Sequence, residues 1–225
     1  MSALPGPARR TDDAGRAALA LYADSPPAVR AHVHIRWWSA PFAPVADALP
    51  TSGRILEIGC GHGLFAAYAA LREPGRTVVG VDIDEEKIRH AQVATLDGRL
   101  SFAVGESGAV PAGPWDAVAF VDMLYLLPAD AQRQLLTQAA ATLVPGGRMV
   151  IKEMGTRPAW KVRWNTWQET LSVKVLRITA GSSFDFVPPE TMAGWLQDAG
   201  LRTKAQRLDR GTVHPHHLLL AERPG

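Results

Sequence analysis

Short apolar runs alternate along the chain with segments in which apolar residues recur at helical spacing. Runs of this kind, which we predict to be buried strands, occur at 54–58, 77–82, 100–104, 116–121 and 148–153. After the first run, Leu64, Tyr68 and Leu71 fall on one side of a helix. Strands that alternate with helices are typical of a parallel sheet covered by helices on both faces.

The pattern changes towards the C-terminus. Pro188 and Pro189 open a predicted helix that ends at Gly200, in agreement with the preference for proline at helix starts and glycine at helix ends. Residues 201–208 and 216–222 then have the composition of two strands, and their connection has no room for a helix, so this pair is expected to be antiparallel. We therefore predict an α/β three-layer sandwich with a mostly parallel seven-stranded sheet and an antiparallel last strand.

Residues 1–13 are rich in proline, arginine and aspartate and are predicted to be disordered, and residues 14–225 are expected to form a single domain. Two segments of that domain, 14–50 and 155–187, lie outside the alternation of strands and helices. Within that domain, residues 14–50 are predicted to be a helical cap, and residues 155–187 an insertion that covers the substrate. Five of the seven tryptophans lie in these two segments: Trp37, Trp38, Trp160, Trp164 and Trp167.

A glycine-rich loop follows the first predicted strand and precedes a predicted helix. The loop "EIGCGHG" (57–63) contains three glycines at every second position, which allows the backbone to turn sharply and to approach a ligand closely. The dinucleotide fingerprint requires a sixth-position glycine where this chain has Leu64, which disfavours a nicotinamide-dependent oxidoreductase. Asp82 ends the next strand about 20 residues later, where a carboxylate can bind ribose hydroxyls.

These features together resemble the class I (Rossmann-like) S-adenosyl-L-methionine (SAM)-dependent methyltransferases of the small-molecule type. "LEIGCGHG" is similar to the first motif of that family, and "VGESGAVP" (104–111) resembles its adenine-contacting loop. "WDAVAFVDMLYLLP" (115–128) resembles the fourth motif, and "LVPGGRMVIKE" (143–153) resembles the segment that follows it. The resemblance implies that SAM is the cofactor and S-adenosyl-L-homocysteine the product.

The resemblance also assigns a set of cofactor-binding positions. In this chain they are Glu57, Gly59, Cys60, Gly61, Gly63, Asp82, Ile83, Glu106, Ser107, Asp122 and Met123. Asp82 is expected to bind both ribose hydroxyls. Glu57 is expected to contact the methionine ammonium group, with helix capping as the alternative. Glu106 stands where the family usually has aspartate, and Asp122 either faces the pocket or supports its loop.

Candidate bases and metal ligands come from the loop after the sixth strand. Ligands of parallel sheets bind beyond the carboxyl ends of the strands, where the segment 209–217 is expected to emerge. His214 or His216 is a candidate general base because histidine titrates near neutral pH; the alternative is that "HPHH" is only a turn and a strand start. No metal is predicted, because His216 and His217, as neighbours on a strand, point in opposite directions.

Aromatic residues suggest where an acceptor binds. Trp160, Trp164 and Trp167 share one face of a predicted helix, and with Trp37, Trp38 and Tyr125 they are the candidate substrate contacts. Two alternatives remain open for that helix: packing on the N-terminal segment, or contact with an anionic membrane surface through its flanking lysines and arginines. His34 and Arg36 are further candidates, for the cofactor carboxylate or the substrate.

Charge and composition narrow the function classes. The net charge is +2, from 24 basic and 22 acidic residues, so no nucleic-acid partner is expected. With one cysteine, the chain cannot form an internal disulfide. Because the sequence has neither a secretory leader nor an apolar run of 18 residues, we expect a cytoplasmic protein. We expect a monomer or a homodimer. The expected reaction is in-line transfer of a methyl group to a small-molecule acceptor, as O-methylation of a natural product, sugar or lipid-like molecule. The alternatives are an RNA or protein methyltransferase and a non-catalytic partner with the same fold.

Overall fold

The computed structural model describes residues 11–96, 98–154, 185–208 and 216–225. The helices are α1 (Asp13–Ala20), α2 (Pro27–Ser39), α3 (Phe42–Ala48), α4 (Leu64–Arg72), α5 (Glu85–Ala91), α6 (Ala129–Thr142) and α7 (Pro189–Asp198). The strands are β1 (Ser52–Ile58), β2 (Gly75–Asp82), β3 (Leu100–Val104), β4 (Trp115–Val121), β5 (Leu143–Met154), β6 (Arg202–Arg207) and β7 (His216–Glu222). Each predicted strand therefore has a counterpart in the structure.

All seven strands form one sheet in the order β3-β2-β1-β4-β5-β7-β6. The first five strands pair in parallel, whereas β7 runs antiparallel to both of its neighbours, β5 and β6. The predicted fold class is confirmed, including the antiparallel last strand. Strand β1 has β2 on one side and β4 on the other, so the chain reverses its direction of winding there, and the carboxyl ends of these strands open a crevice.

Apolar side chains of the sheet fill two layers. On one face, residues such as Ile55 and Val150 pack with the buried sides of α1 to α5. On the other face, residues such as Leu56 and Ile151 pack with α6 and α7. Since adjacent strand residues point to opposite faces, the continuous apolar runs of β1 and β5 are what a strand covered on both sides requires.

The N-terminal helices pack on α4 through a polar contact. The Asp12 carboxylate accepts the Gly15 amide hydrogen at 2.7 Å and so caps α1, and its second oxygen accepts the Tyr68 hydroxyl at 2.7 Å and pairs with Arg72. The prediction that residues 1–13 are disordered is therefore wrong for Asp12 and Asp13, because a capped helix begins there. Residues 1–10 lie outside the described residues.

Most of the predicted insertion, residues 155–184, also lies outside the described residues. The described part ends at Met154 and resumes at Asp185, whose amide donates to the carbonyl of Tyr125 at 2.9 Å. In the part of the chain that the structure describes, no helix is both long and apolar enough to cross a bilayer.

Candidate functional site

A cavity of about 710 Å³ opens at the carboxyl ends of β1, β2 and β4. Its walls are the glycine loop, the end of β2, the loop at 105–109, the turn after β4 and one side of α2. Ten of the predicted cofactor-binding residues line it: Glu57, Gly59, Cys60, Gly61, Asp82, Ile83, Glu106, Ser107, Asp122 and Met123. The fold thus brings together positions that span 67 residues of sequence, counted from 57 to 123.

The glycine loop is fixed by the neighbouring strand. The amides of Gly59 and Cys60 both donate to the Val81 carbonyl, at 2.8 and 3.0 Å. Gly59 has φ +75°, and a Cβ atom there would lie 2.7 Å from Cγ of Met123, so no larger residue fits without displacing that side chain. The close approach of Met123 to the loop therefore depends on glycine at position 59.

Gly63 has a structural role that differs from its predicted one. It is the only predicted cofactor residue that does not line the described cavity. It precedes α4 with φ +80°, and a Cβ atom there would lie 2.5 Å from the ring of Phe102. A left-handed backbone and the packing of Phe102 account for glycine at this position, and its predicted contact with the cofactor stays a prediction.

Asp82 connects the end of β2 to the glycine loop. Its Oδ2 accepts the Gly61 amide hydrogen at 2.8 Å and its Oδ1 accepts that of Asp84 at 2.9 Å. Asp84 in turn caps α5 through the amides of Glu86 and Lys87, and an aspartate directly before a helical segment is typical of such a cap. Each oxygen of Asp82 keeps a second lone pair, so the carboxylate can accept hydroxyl hydrogens as well.

Glu57 is a buried carboxyl group with one oxygen to spare. The side chain is only 3% exposed, and the Ala66 amide in the first turn of α4 hydrogen-bonds to it, while Oε2 has no hydrogen-bond partner in the part of the chain that the structure describes. Burial raises the pKa of Glu57 to about 8, against the opposing effects of the Ala66 amide and Arg36. The two roles considered for this residue are compatible, since one oxygen can cap α4 while the other is free for a cationic ligand.

Asp122 lies at the centre of a buried ion cluster. Both of its oxygens lie 2.5 Å from Nζ of Lys152, which is fully buried, and Oδ2 lies 3.0 Å from the guanidinium of Arg36. Burial alone would raise the pKa of the Asp122 carboxyl, but Lys152 and Arg36 outweigh it and lower the pKa. Arg36 lines the cavity with a side chain that is 32% exposed, so it is the member of the cluster that can offer a cation to a ligand there.

Helix α2 forms one wall of the cavity. Sequence reasoning identified Arg36 as a candidate but missed its neighbours His32 and Val33, which also line the cavity; His34 does not. The ring of His32 lies 4.6 Å from that of His62 in the glycine loop. The spacing of positions 32 and 36, one helical turn apart, was the available signal, but nothing in the sequence showed which partner that side of the helix would face.

The two tryptophans of α2 do not line the described cavity, and their predicted contact with the substrate stays a prediction. Trp37 packs edge-on against Tyr68 at 5.0 Å and donates its indole hydrogen to Thr11 at 3.1 Å, whereas Trp38 is 80% exposed. Trp37 lies one helical turn after Val33, which lines the cavity, but the Trp37 ring packs against Tyr68. Trp160, Trp164 and Trp167 lie outside the described residues.

The turn after β4 and the helix that follows it contribute apolar side chains to the cavity. Tyr125, Leu126, Leu127 and Leu135 line it, and the Tyr125 ring stacks on Phe186 with centroids 5.3 Å apart and planes 8° apart. Tyr125 was predicted as a substrate contact, and the structure places it at the cavity. A surface of this composition favours an apolar or aromatic molecule.

The histidine candidates have different outcomes. His216 does not line the described cavity: it is 5% exposed, pairs with Met154 across the sheet, and its carbonyl accepts the Leu208 amide at 2.8 Å. The antiparallel pairing of β7 begins at this residue and buries the ring, and its role as a base stays a prediction. His214 lies outside the described residues. Within the described ranges no group of three metal-binding side chains occurs, and the absence of a metal stays a prediction.

Comparison with protein families gives one clear match. A family model described as a methyltransferase domain matches residues 30–206. The ubiquinone biosynthesis O-methyltransferase of Xanthomonas axonopodis pv. citri (strain 306) is 27% identical over 186 residues, which are 74% of this chain and 76% of the relative. The protein with the same description from Xylella fastidiosa (strain 9a5c) is 29% identical over 163 residues, covering 70% of this chain and 64% of its own length.

Solved structures agree on the fold. An O-methyltransferase family protein from Burkholderia thailandensis superposes with a TM-score of 0.67 at 21% identity, covering 87% of this chain and 58% of that one. Human N-acetylserotonin methyltransferase in complex with SAM superposes with a TM-score of 0.66 at 17% identity, covering 87% and 55%. At these identities the likeness extends to the fold alone, and this chain spans little more than half of each neighbour.

Proposed function

This chain belongs to the class I SAM-dependent methyltransferases and uses SAM as its methyl donor, and from that premise we propose that it methylates a hydroxyl group of a small, mainly apolar molecule. The observation that carries the proposal is that two sets of side chains line one cavity: a polar set with Glu57, Asp82 and Arg36, here called the polar half, and an apolar set in the turn after Met123, Tyr125 to Leu127, here called the apolar half. The names of the sequence relatives, O-methyltransferases of ubiquinone biosynthesis, support transfer to oxygen.

The polar half is complementary to each charged part of the cofactor. The spare oxygen of Glu57 would take the ammonium group, and the exposed side of the Arg36 guanidinium the carboxylate. Asp82 would accept the ribose hydroxyls, with Ile83 and the loop at 105–108 beside the adenine. The cofactor supplies a methyl group already activated by a positively charged sulfur.

The apolar half would orient the acceptor and exclude water. Tyr125 and its leucine neighbours offer aromatic and apolar surface in the same cavity as the proposed cofactor site, so an acceptor ring packed on them would lie in the same cavity as the methyl donor. Holding the two reactants in line converts a bimolecular reaction into an effectively unimolecular step. This effect supplies most of the rate enhancement that methyl transfer needs.

Three predictions outside the described residues remain part of the proposal. His214 is proposed as the base that removes the hydroxyl proton. Trp160, Trp164 and Trp167 are proposed to close over the acceptor from the insertion at 155–187. We also propose that residues 14–225 form a single domain.

An acceptor screen tests this function. The full chain is incubated with SAM and a panel of catechols, simple phenols, alkyl alcohols and amines, and methylated products are counted by mass spectrometry. We expect transfer to phenolic hydroxyls at rates at least tenfold above transfer to amines. Asp82→Ala should lower turnover at limiting SAM at least tenfold, whereas Val93→Ala, at an exposed position that does not line the described cavity, should not change it. Methylation of amines alone, by a protein that binds SAM, would refute transfer to oxygen.

A further inference from the structure

The turn after β4 contributes both a charged residue and apolar residues to the wall of the cavity. Asp122 begins it with φ +55°, a left-handed conformation that is unusual for a residue other than glycine, and a single 3₁₀ turn, Leu124–Leu126, follows. Asp122, Met123 and Tyr125 from this turn all line the cavity. A strained turn keeps its shape only when the surrounding structure fixes it.

Two consecutive residues at the end of β5 fix this turn from opposite faces of the sheet. Lys152 binds the Asp122 carboxylate on one face, and its carbonyl accepts the Asp122 amide hydrogen at 2.8 Å. On the other face, Oε1 of Glu153 accepts two amide hydrogens, from Met123 at 3.0 Å and from Leu124 at 2.8 Å. The alternation of side chains along a strand makes this arrangement possible.

We propose that Glu153 is a positioning residue for methyl transfer, which holds the turn at 122–126 so that Met123 and Tyr125 face the methyl donor and the acceptor. Glu153 itself does not line the described cavity and is 2% exposed, so it acts through the turn and not on the reactants. The inference rests on the proposed cofactor site, and not on the identity of the acceptor.

The surroundings of Glu153 indicate that it works as a hydrogen-bond acceptor and not as a fixed charge. His217 lies directly opposite it on β7, 5% exposed, and among the described residues neither Oε2 of Glu153 nor the two ring nitrogens of His217 have a hydrogen-bond partner. Burial raises the pKa of Glu153 above its usual range and lowers that of His217 to about 4. Burial thus disfavours a charge on both groups, and the two amide contacts need only an acceptor oxygen, which a glutamine also has.

The cofactor loop is anchored independently of Glu153. Gly59 and Cys60 are held by the Val81 carbonyl on the opposite side of β1, whereas Met123 only packs against Gly59. Loss of Glu153 should therefore displace Met123 and Tyr125 while the glycine loop keeps its place. The expected consequence is a fall in turnover with cofactor affinity nearly unchanged.

Two substitutions separate this role from a general contribution to folding. Glu153→Gln keeps an acceptor oxygen and Glu153→Leu removes it. In protein labelled with ¹³C at the methionine methyl groups, the Met123 signal is assigned through Met123→Leu and followed as S-adenosyl-L-homocysteine is added. We expect the ligand-induced shift in the wild type and in Glu153→Gln, and less than half of it in Glu153→Leu, with ligand affinity within threefold in all three. With an acceptor, turnover should fall at least tenfold in Glu153→Leu and stay within threefold in Glu153→Gln.

Each way in which the proposal can fail gives a different experimental result. An unchanged Met123 signal in folded Glu153→Leu would overturn it, and so would a Glu153→Gln variant as impaired as Glu153→Leu, since an acceptor oxygen would then not be what matters. If Glu153→Leu does not fold, hydrogen exchange of the wild type decides: rapid exchange of the Met123 and Leu124 amides in the complex would overturn the proposal. Wild-type protein that binds no S-adenosyl-L-homocysteine would instead overturn the proposed function, and this inference with it.

Discussion

The affinity for cofactor should depend on pH through Glu57. In the ligand-free protein the pKa of this carboxyl group is raised to about 8, so at pH 6 only about one molecule in a hundred carries the ionised form. If the ionised form binds the ammonium group, affinity falls as pH decreases below 8, by about fiftyfold between pH 8 and pH 6, equivalent to about 2 kcal/mol. Binding must also release a proton in this range, because the ammonium group lowers the pKa of Glu57.

Isothermal titration calorimetry with S-adenosyl-L-homocysteine at pH 6, 7 and 8 measures both effects, when each pH is repeated in two buffers of different ionisation enthalpy. Glu57→Gln keeps an acceptor for the Ala66 amide but cannot ionise, so its affinity should be independent of pH. At pH 8 it should bind about 10- to 150-fold more weakly than the wild type, as expected for a lost charged hydrogen bond of about 1.5–3 kcal/mol. Glu85→Gln, on the exposed side of α5, is the matched control and should behave as the wild type. An affinity that varies by less than threefold from pH 6 to 8, without proton release, would refute the assignment of Glu57.

Three further predictions concern the same site. Asp82→Ala should weaken SAM binding at least tenfold in calorimetry, since it removes the acceptor proposed for the ribose; an unchanged affinity in a folded variant would exclude Asp82 from the site. Gly63→Ala should lower the free energy of unfolding by about 1–3 kcal/mol more than Gly98→Ala, because both residues have positive φ but only position 63 places a Cβ against Phe102; equal losses in urea titrations would contradict the steric argument. Arg36→Met should weaken SAM binding at least tenfold while leaving the affinity for 5′-methylthioadenosine, which lacks the carboxylate, within threefold; equal losses for both ligands would show that Arg36 does not bind the carboxylate.

Much of the proposed cofactor site could be predicted from the sequence. The loop at 57–63, the carboxylate of Asp82 at the next strand end and the segment at 104–111 each follow a strand whose apolar run is unambiguous. The carboxyl ends of parallel strands share one edge of the sheet. Residues that follow the predicted strands therefore lie near one another, and this does not depend on how individual side chains pack. Local backbone requirements such as the Asp84 cap were equally visible, because a cap depends on neighbours three residues away.

The residues that α2 and β7 place near the cavity were harder to predict from the sequence. Periodicity shows that α2 is a helix, but not which of its sides faces the sheet edge, so Arg36 and His32 reach the cavity while the more conspicuous Trp37 and Trp38 do not. His216 had the residue type of a base, yet pairing across the sheet with Met154 buries it.

What the sequence alone determined is therefore the order of strands and helices, the glycine loop and the carboxylate that follows it. These features depend on backbone geometry over a few residues and on the apolar runs that every strand of a covered sheet must have. Only the tertiary structure decided that Lys152 and Arg36 share the Asp122 carboxylate, and that Glu153 holds the turn beside it. Those contacts join residues far apart in the chain, and their formation depends on burial and strand register, which no local pattern encodes.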